Sequence, residues 1–225
     1  GGPSLRKQMF AEHRAQHYTA GTFAQISRYG MNAVRIPFGH WVITGPGDGE
    51  SYEGPCLEVL DSAVSFAASN GLQVLLDLHG TPGGESGERP CGCTNQNWRW
   101  TDWRTQGAVA VLEQVAQRYK SWECVTGVQV CNEPSMNIPV DILCQYYEAA
   151  ITAIRRAGMG PERVAVVVPV FNQHRLPDVL RYWQEHGNFF KYDNVAFDLH
   201  YYHNFDPFWK LLSQEQHLEV VHGHA

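Results

Sequence analysis

Lysine and arginine never occur more than two in succession in this 225-residue chain, and its formal net charge is −6. The basic patches that grip nucleic acid or an anionic membrane surface are therefore missing, so neither is expected as a partner. No apolar stretch approaches the roughly 20 residues of a membrane-spanning helix, so no membrane span is expected. A signal-peptide pattern is also lacking; the chain starts Gly1-Gly2-Pro3. Eleven histidines are present without a compact ligand motif such as His-Glu-x-x-His, and neither a metal nor another cofactor is expected. Finally, no hairpin signal joins the predicted strands, which points away from an antiparallel sheet.

Six cysteines, an even number, are compatible with a secreted, disulfide-bonded protein and do not require one. Cys91 and Cys93 are too close in sequence for an easy mutual bridge, and Cys131 reads as a small apolar core residue. With 44% hydrophobic residues, the whole length, 1–225, is expected to form a single α/β domain. That length lies near the lower limit of about 200 to 250 residues for an eight-stranded barrel.

Residues 1–20 are polar and basic with little periodicity. A short helix is predicted over 22–29, closed by Gly30, and a strand over 32–37, ended by Pro37. Helical spacing over 57–70 ends at Gly71, and the nearly continuous apolar run at 73–79 suits a parallel strand covered on both faces. Residues 80–103 form a long insertion with Trp98, Trp100 and Trp103, and long loops of this kind are more often functional than ornamental. Helices are predicted at 106–119, 140–157 and 177–186, and strands at 164–170 and 194–200.

The stretch that organises the chain is Gly127-Val128-Gln129-Val130-Cys131-Asn132-Glu133-Pro134. Its β-branched residues make a buried strand, and Pro134 ends it, leaving Glu133 where the strand opens into a loop. The alternation of strand and helix, five times over, predicts a parallel sheet with right-handed crossovers, three strands short of an eight-stranded (β/α)8 barrel. In such a barrel chemistry sits at the C-terminal ends of the strands. Arg35, His79, Asn132, Glu133, His200 and Tyr202 all fall there. Any one of these is ordinarily a satisfied structural or solvated residue; their recurrence at strand ends favours a site.

Asn32-Ala33-Val34-Arg35-Ile36-Pro37-Phe38-Gly39-His40-Trp41, Asp77-Leu78-His79-Gly80-Thr81-Pro82-Gly83, Asn132-Glu133-Pro134 and Asp198-Leu199-His200-Tyr201-Tyr202 resemble successive blocks of glycoside hydrolase family 5, in family order from about residue 9 to residue 220. Within that family the resemblance is to exo-β-1,3-glucanases. It implies a (β/α)8 barrel that hydrolyses β-glucosidic bonds with retention at the anomeric carbon. Its expected partner is a β-glucan oligosaccharide or polysaccharide, and its expected location extracellular or cell wall. By the same resemblance Glu133 matches the general acid/base and Asn132 the neighbour that contacts the sugar 2-hydroxyl. Arg35 and His79 match residues that support the nucleophile and bind the −1 sugar, and His200 and Tyr202 the pair on the sixth strand. Phe205 falls at an entrance aromatic, and Trp41 with the loop tryptophans at positions able to stack on sugar rings.

Retention needs two carboxylates about 5 to 5.5 Å apart, and the sequence offers one. The family's nucleophile is a Glu at the end of the seventh strand, and this chain resembles strands two to six only, so that residue is expected beyond the chain end. Glu215 and Glu219 sit in a stretch that reads as helix or loop. Glu133 is expected to have a raised pKa, as an acid waiting to donate requires. Two other functions are consistent with the residues: a metal-dependent barrel hydrolase, given His200, His203, His222 and His224, and a non-catalytic carbohydrate-binding or scaffolding barrel.

Overall fold

The computed structural model describes residues 3–92, 95–187, 191–202 and 207–223. The first element is a helix, α1 (Pro3–His17), where the sequence suggests no regular structure. It has no apolar stripe to betray it; its residues are good helix formers such as Leu5, Gln8, Ala11 and Ala15. Two arginines dock it, Arg14 donating to the Glu53 carbonyl at 2.6 Å and Arg6 pairing with the Glu53 carboxylate. Helix α2 (Ala20–Arg28) begins at Thr19, whose hydroxyl accepts from the Thr22 N–H, and Gly30 takes the left-handed conformation beyond it, with φ of 82°.

Five strands follow: β1 (Ala33–Gly39), β2 (Gln73–Gly80), β3 (Val125–Gln129), β4 (Ala165–Phe171) and β5 (Val195–Leu199). They lie in the order β1-β2-β3-β4-β5, every neighbouring pair parallel. Between β1 and β2 run α3 (Trp41–Thr44) and α4 (Leu57–Ser69). Helix α5 (Thr105–Tyr119) connects β2 to β3, α6 (Val140–Arg156) connects β3 to β4, and α7 (Leu176–Glu185) connects β4 to β5. Helix α8 (Gln214–Gly223) closes the described chain. This is the open parallel array of a partial (β/α)8 barrel, with five strands among the described residues. The predicted strand end at Pro37 is wrong by two residues: β1 continues to Gly39. As an outermost strand of this sheet, β1 has a side on which proline's missing N–H leaves no ladder bond broken.

Alternation along the strands decides what each face carries. Val74, Leu76 and Leu78 of β2, Val128 and Val130 at β3, and Val166, Val168 and Val170 of β4 are all fully buried. They pack with Leu112 and Val115 of α5 and Leu143, Tyr147 and Ile151 of α6 in one continuous core. At about 1.5 to 3 kcal/mol per large apolar side chain, burial of this layer is the main force holding helices to sheet. The intervening residues point to the inner face. Asp77 is paired in register with Gln129, and Gln129 with Val167. On that face Gly127 leaves room for Leu75, whose Cδ1 would lie 2.7 Å from a Cβ there.

The core also fixes the strand ends. Tyr146 and Tyr147 of α6 donate to the carbonyls of Val130, just past β3, and of Pro169, near the end of β4. Cys131, expected in the core, is fully buried, and Cys56, Cys124, Cys131 and Cys144 are free thiols. Cys93 lies outside the described residues.

Candidate active site

Glu133 lies four residues past the end of β3, and its carboxylate is 14% exposed. Its Oε1 accepts from His200 Nδ1 at 2.7 Å and from the Tyr202 hydroxyl at 2.6 Å. The other ring nitrogen of His200, Nε2, lies 3.0 Å from Oδ2 of Asp198. With a carboxylate at each nitrogen the ring is a donor at both, which is the imidazolium form. Hydrogen bonds to Asp198 and then Glu133 hold the His200 pKa up to about 9. The reciprocal effect lowers Asp198 and Glu133: for Glu133 the His200 bond outweighs the opposing desolvation, and Tyr202 adds to it. The expected rise in the Glu133 pKa is thus overturned here. Burial does push it up, but a charged donor 2.7 Å away pulls harder.

The network extends across the inner face. Gln129 donates from Nε2 to Asp198 Oδ2 at 2.8 Å and accepts at Oε1 from Arg35 Nε at 2.9 Å. Arg35 Nη2 also reaches Asn132 Oδ1 at 2.9 Å and Asp77 Oδ2 at 3.0 Å. The same Asp77 oxygen receives His79 Nδ1 at 2.7 Å. Arg35, His79, Asn132, Glu133, His200 and Tyr202, far apart in sequence, are therefore joined in one hydrogen-bonded set.

Asp77, Gln129 and Asp198 complete the set and escaped the sequence reading as site residues. A signal for two of them existed: Asp-Leu-His occurs at 77–79 and again at 198–200. In a strand a spacing of two puts Asp and His on one face, and in both places they are hydrogen-bonded to each other. Gln129 carried no such mark, because its partners come from β1 and β5.

Surrounding loops are pinned to the core. Arg175, 3% exposed, donates to the carbonyls of Ser135 at 2.8 Å and Ile138, holding the segment that follows Glu133. Glu85 is fully buried in the loop after β2, where Thr81 donates to its carboxyl through N–H and hydroxyl, and burial pushes its pKa up. Phe171, at the end of β4, has φ of 62°, a strained conformation for a non-glycine residue. Its carbonyl accepts the His200 N–H at 3.2 Å and its ring meets the His200 ring edge-on at 5.9 Å. Such strain persists where surrounding structure over-determines it and concentrates at functional sites. A cleft of about 310 Å³ opens beside His200, lined by Phe171, Asn172, His174, Tyr202 and Trp209.

The aromatic residues expected to stack on sugars separate in the structure. Trp103 is 5% exposed, packs edge-on against Tyr146 and donates from Nε1 to Thr81 Oγ1 at 2.9 Å, so it belongs to the core. Trp41 stacks on Tyr52 at 3.7 Å and 9°, in a slot where a side chain on Gly39, Gly80 or Gly92 would strike it. Trp41 lines a separate, more apolar cavity of about 270 Å³ between α1, β1 and α4. Trp98 is partly buried, its Nε1 directed at the Gly83 and Gly84 carbonyls, and Trp100 is 38% exposed. Phe205 lies outside the described residues, as do His203 and His224. Among the described residues no group of three His, Cys, Asp or Glu side chains is placed to hold a metal ion, and no helix is long and apolar enough to cross a membrane.

Residues 7–217 match the profile of Cellulase (glycosyl hydrolase family 5). The chain is 34% identical over 215 residues to "Probable glucan 1,3-beta-glucosidase A" of Emericella nidulans, covering 94% of this chain and 50% of that protein. It is 30% identical over 223 residues to the protein of the same name from Aspergillus niger, covering 98% and 50%, and 30% identical over 218 residues to "Glucan 1,3-beta-glucosidase" of Candida oleophila, covering 93% and 49%. The chain thus spans about half the length of these relatives. Among solved structures it resembles rutinosidase from Aspergillus niger, with a TM-score of 0.65 at 18% identity over 84% of this chain and 56% of that one. It also resembles endoglucanase Cel5A from Thermotoga maritima, with a TM-score of 0.59 at 20% identity over 84% and 54%. At these identities the two structures speak for the fold.

Proposed function

The chain belongs to glycosyl hydrolase family 5, and from that premise we propose that it forms part of a retaining β-glucosidase acting on β-1,3-linked glucan. The observation that carries this reading is the Glu133 carboxylate at a strand end, held by His200 and Tyr202 in a chain whose relatives are named glucan 1,3-beta-glucosidases. In this reading Glu133 is the general acid/base. The Glu133–His200 pair shares one proton, and the raised His200 pKa and lowered Glu133 pKa favour its lying on His200. Donation to a leaving oxygen needs that proton on Glu133, and an anionic second carboxylate close by would favour the transfer by raising the Glu133 pKa.

Asn132 and Arg35 are proposed to meet the sugar in the −1 position, with His79 and Asp77 behind Arg35. Tyr202 is proposed to lie near the attacking carboxylate. Glu215 and Glu219 are not assigned to attack: both are exposed on α8. The attacking Glu is proposed to come from sequence outside these residues. An extracellular or cell-wall location is proposed from the substrate class, since polymeric glucan is met there. The test is to incubate the intact protein with laminarioligosaccharides and follow the anomer released by proton NMR. β-Glucose appearing first supports the proposal; α-glucose first, or no release by a folded intact protein, refutes it.

A further inference from the structure

The buried amide at the centre of the inner face has a role that neither its strand position nor the proposed reaction assigns. Gln129 is 1% exposed and bridges two outer strands of the sheet, reaching Arg35 of β1 on one side and Asp198 of β5 on the other. Its orientation is determined chemically. Arg35 Nε has only a proton to offer and the Asp198 carboxylate only lone pairs, so the amide oxygen must face the first and the amide nitrogen the second. A carboxylate in place of this amide would repel Asp198, and an apolar side chain would satisfy neither partner.

We propose that Gln129 is a positioning residue: its amide holds Asp198 in the orientation that grips His200, and through His200 sets the proton shared with Glu133. The chain of contacts is direct. Gln129 Nε2 lies 2.8 Å from Asp198 Oδ2, the same oxygen that His200 Nε2 meets at 3.0 Å, while His200 Nδ1 meets Glu133 at 2.7 Å. The charged and titratable groups around it are Arg35 from β1, Asp77 and His79 from β2, Glu133 beyond β3, Asp198 from β5 with His200 and Tyr202 just past it, and His174, which follows β4 and lines the same cleft as His200. A neutral amide at the centre lets Asp198 stay ionised beside His200 without adding a negative charge to this group.

The activity arm of the test rests on the proposed hydrolase function; the spectroscopic arm does not. Gln129→Glu places two carboxylates within hydrogen-bond distance. Where they share a proton, the new carboxyl donates to Asp198 as the amide did. As pH rises and that proton is lost, repulsion turns Asp198 away from His200. In the intact protein assayed on laminaritriose, Gln129→Glu is therefore expected to approach the unmodified rate at the acidic end and to fall about tenfold further than the unmodified protein towards alkaline pH, the size of one hydrogen bond to a charged group. Gln129→Leu is expected to lose a similar factor at every pH. A Gln129→Glu profile parallel to that of the unmodified protein, or unmodified activity in Gln129→Leu, overturns the proposal.

The second arm needs no variant and no turnover. In 15N-labelled unmodified protein the Gln129 side-chain amide should give two resolved, exchange-protected proton signals that shift together with the His200 ring signals as pH is raised. Signals that exchange rapidly, or that stay fixed while His200 titrates, overturn the proposal even where Gln129→Glu does not fold. If the unmodified intact protein hydrolyses no β-glucoside, the functional reading fails while this arm still decides the role of Gln129.

Discussion

His200 donates to Glu133 over 2.7 Å although 67 residues separate them in sequence. A carboxylate that the sequence suggests is a waiting acid is found as the anionic half of an ion pair. Whether Glu133 acts as an acid then depends on moving a proton from His200 to it, and several expected outcomes follow from that geometry.

Glu133→Gln in the intact protein should cut the turnover of laminarioligosaccharides, whose leaving alcohols need protonation, by about 10² to 10⁴-fold. Activated aryl β-glucosides, which need little protonation, should lose far less in their glycosylation step. Steady-state kinetics on the two substrate classes measure this; equal losses on both would remove Glu133 from the acid role.

Stability should depend on pH through His200. Its folded pKa, about 9, lies above an unfolded value near 6.5, so its contribution is complete below about pH 6.5 and is lost as pH rises through 9. Asp198 and Glu133 have lowered pKa values, and their contributions are present above about pH 4 and lost at more acidic pH. Urea midpoints should thus decline on both sides of the window from about pH 5 to 6.5. His200→Gln should flatten the alkaline decline, a difference of about 1 to 2 kcal/mol after solvent screening at the rim.

Arg175→Met should destabilise the fold by about 3 kcal/mol, because it leaves the buried Ile138 carbonyl and the partly buried Ser135 carbonyl without their donor. Thermal unfolding reads the loss. Hydrogen exchange should show it greatest in the segment following Glu133.

The 225-residue chain on its own should associate or unfold non-cooperatively, since β1 and β5 are the outer strands of an open sheet and offer unpaired edges. Sedimentation velocity checks this. A monomer with a single cooperative transition would contradict it.

On the proposal that the attacking carboxylate lies outside these residues, the same polypeptide should hydrolyse laminarioligosaccharides at least about 10⁴-fold more slowly than the intact protein. Binding should be no tighter than roughly millimolar, about −4 kcal/mol. Glucose release at ordinary enzymatic rates, abolished by Glu133→Ala, would reveal a second carboxylate within these residues.

By itself the sequence determined the order of the five strands and of the long helices between them, and the residues at the strand ends. Apolar periodicity and glycine or proline punctuation are local properties, and they located all five strands to within a few residues, with Glu133, His200 and Tyr202 at the rim. It left α1 unseen, because that helix is docked by Arg6 and Arg14 on Glu53 and not by an apolar stripe. Only the tertiary structure decided which strand-end side chains are partners. Gln129 becomes a bridge between Arg35 and Asp198 through the register of five strands. Trp103 is drawn into the core against Tyr146, and Trp41 is stacked on Tyr52, by packing that no spacing encodes. The sign of the Glu133 pKa was decided there as well: burial raises it, a charge 2.7 Å away lowers it more, and that charge arrives only when β5 is laid down two strands from β3.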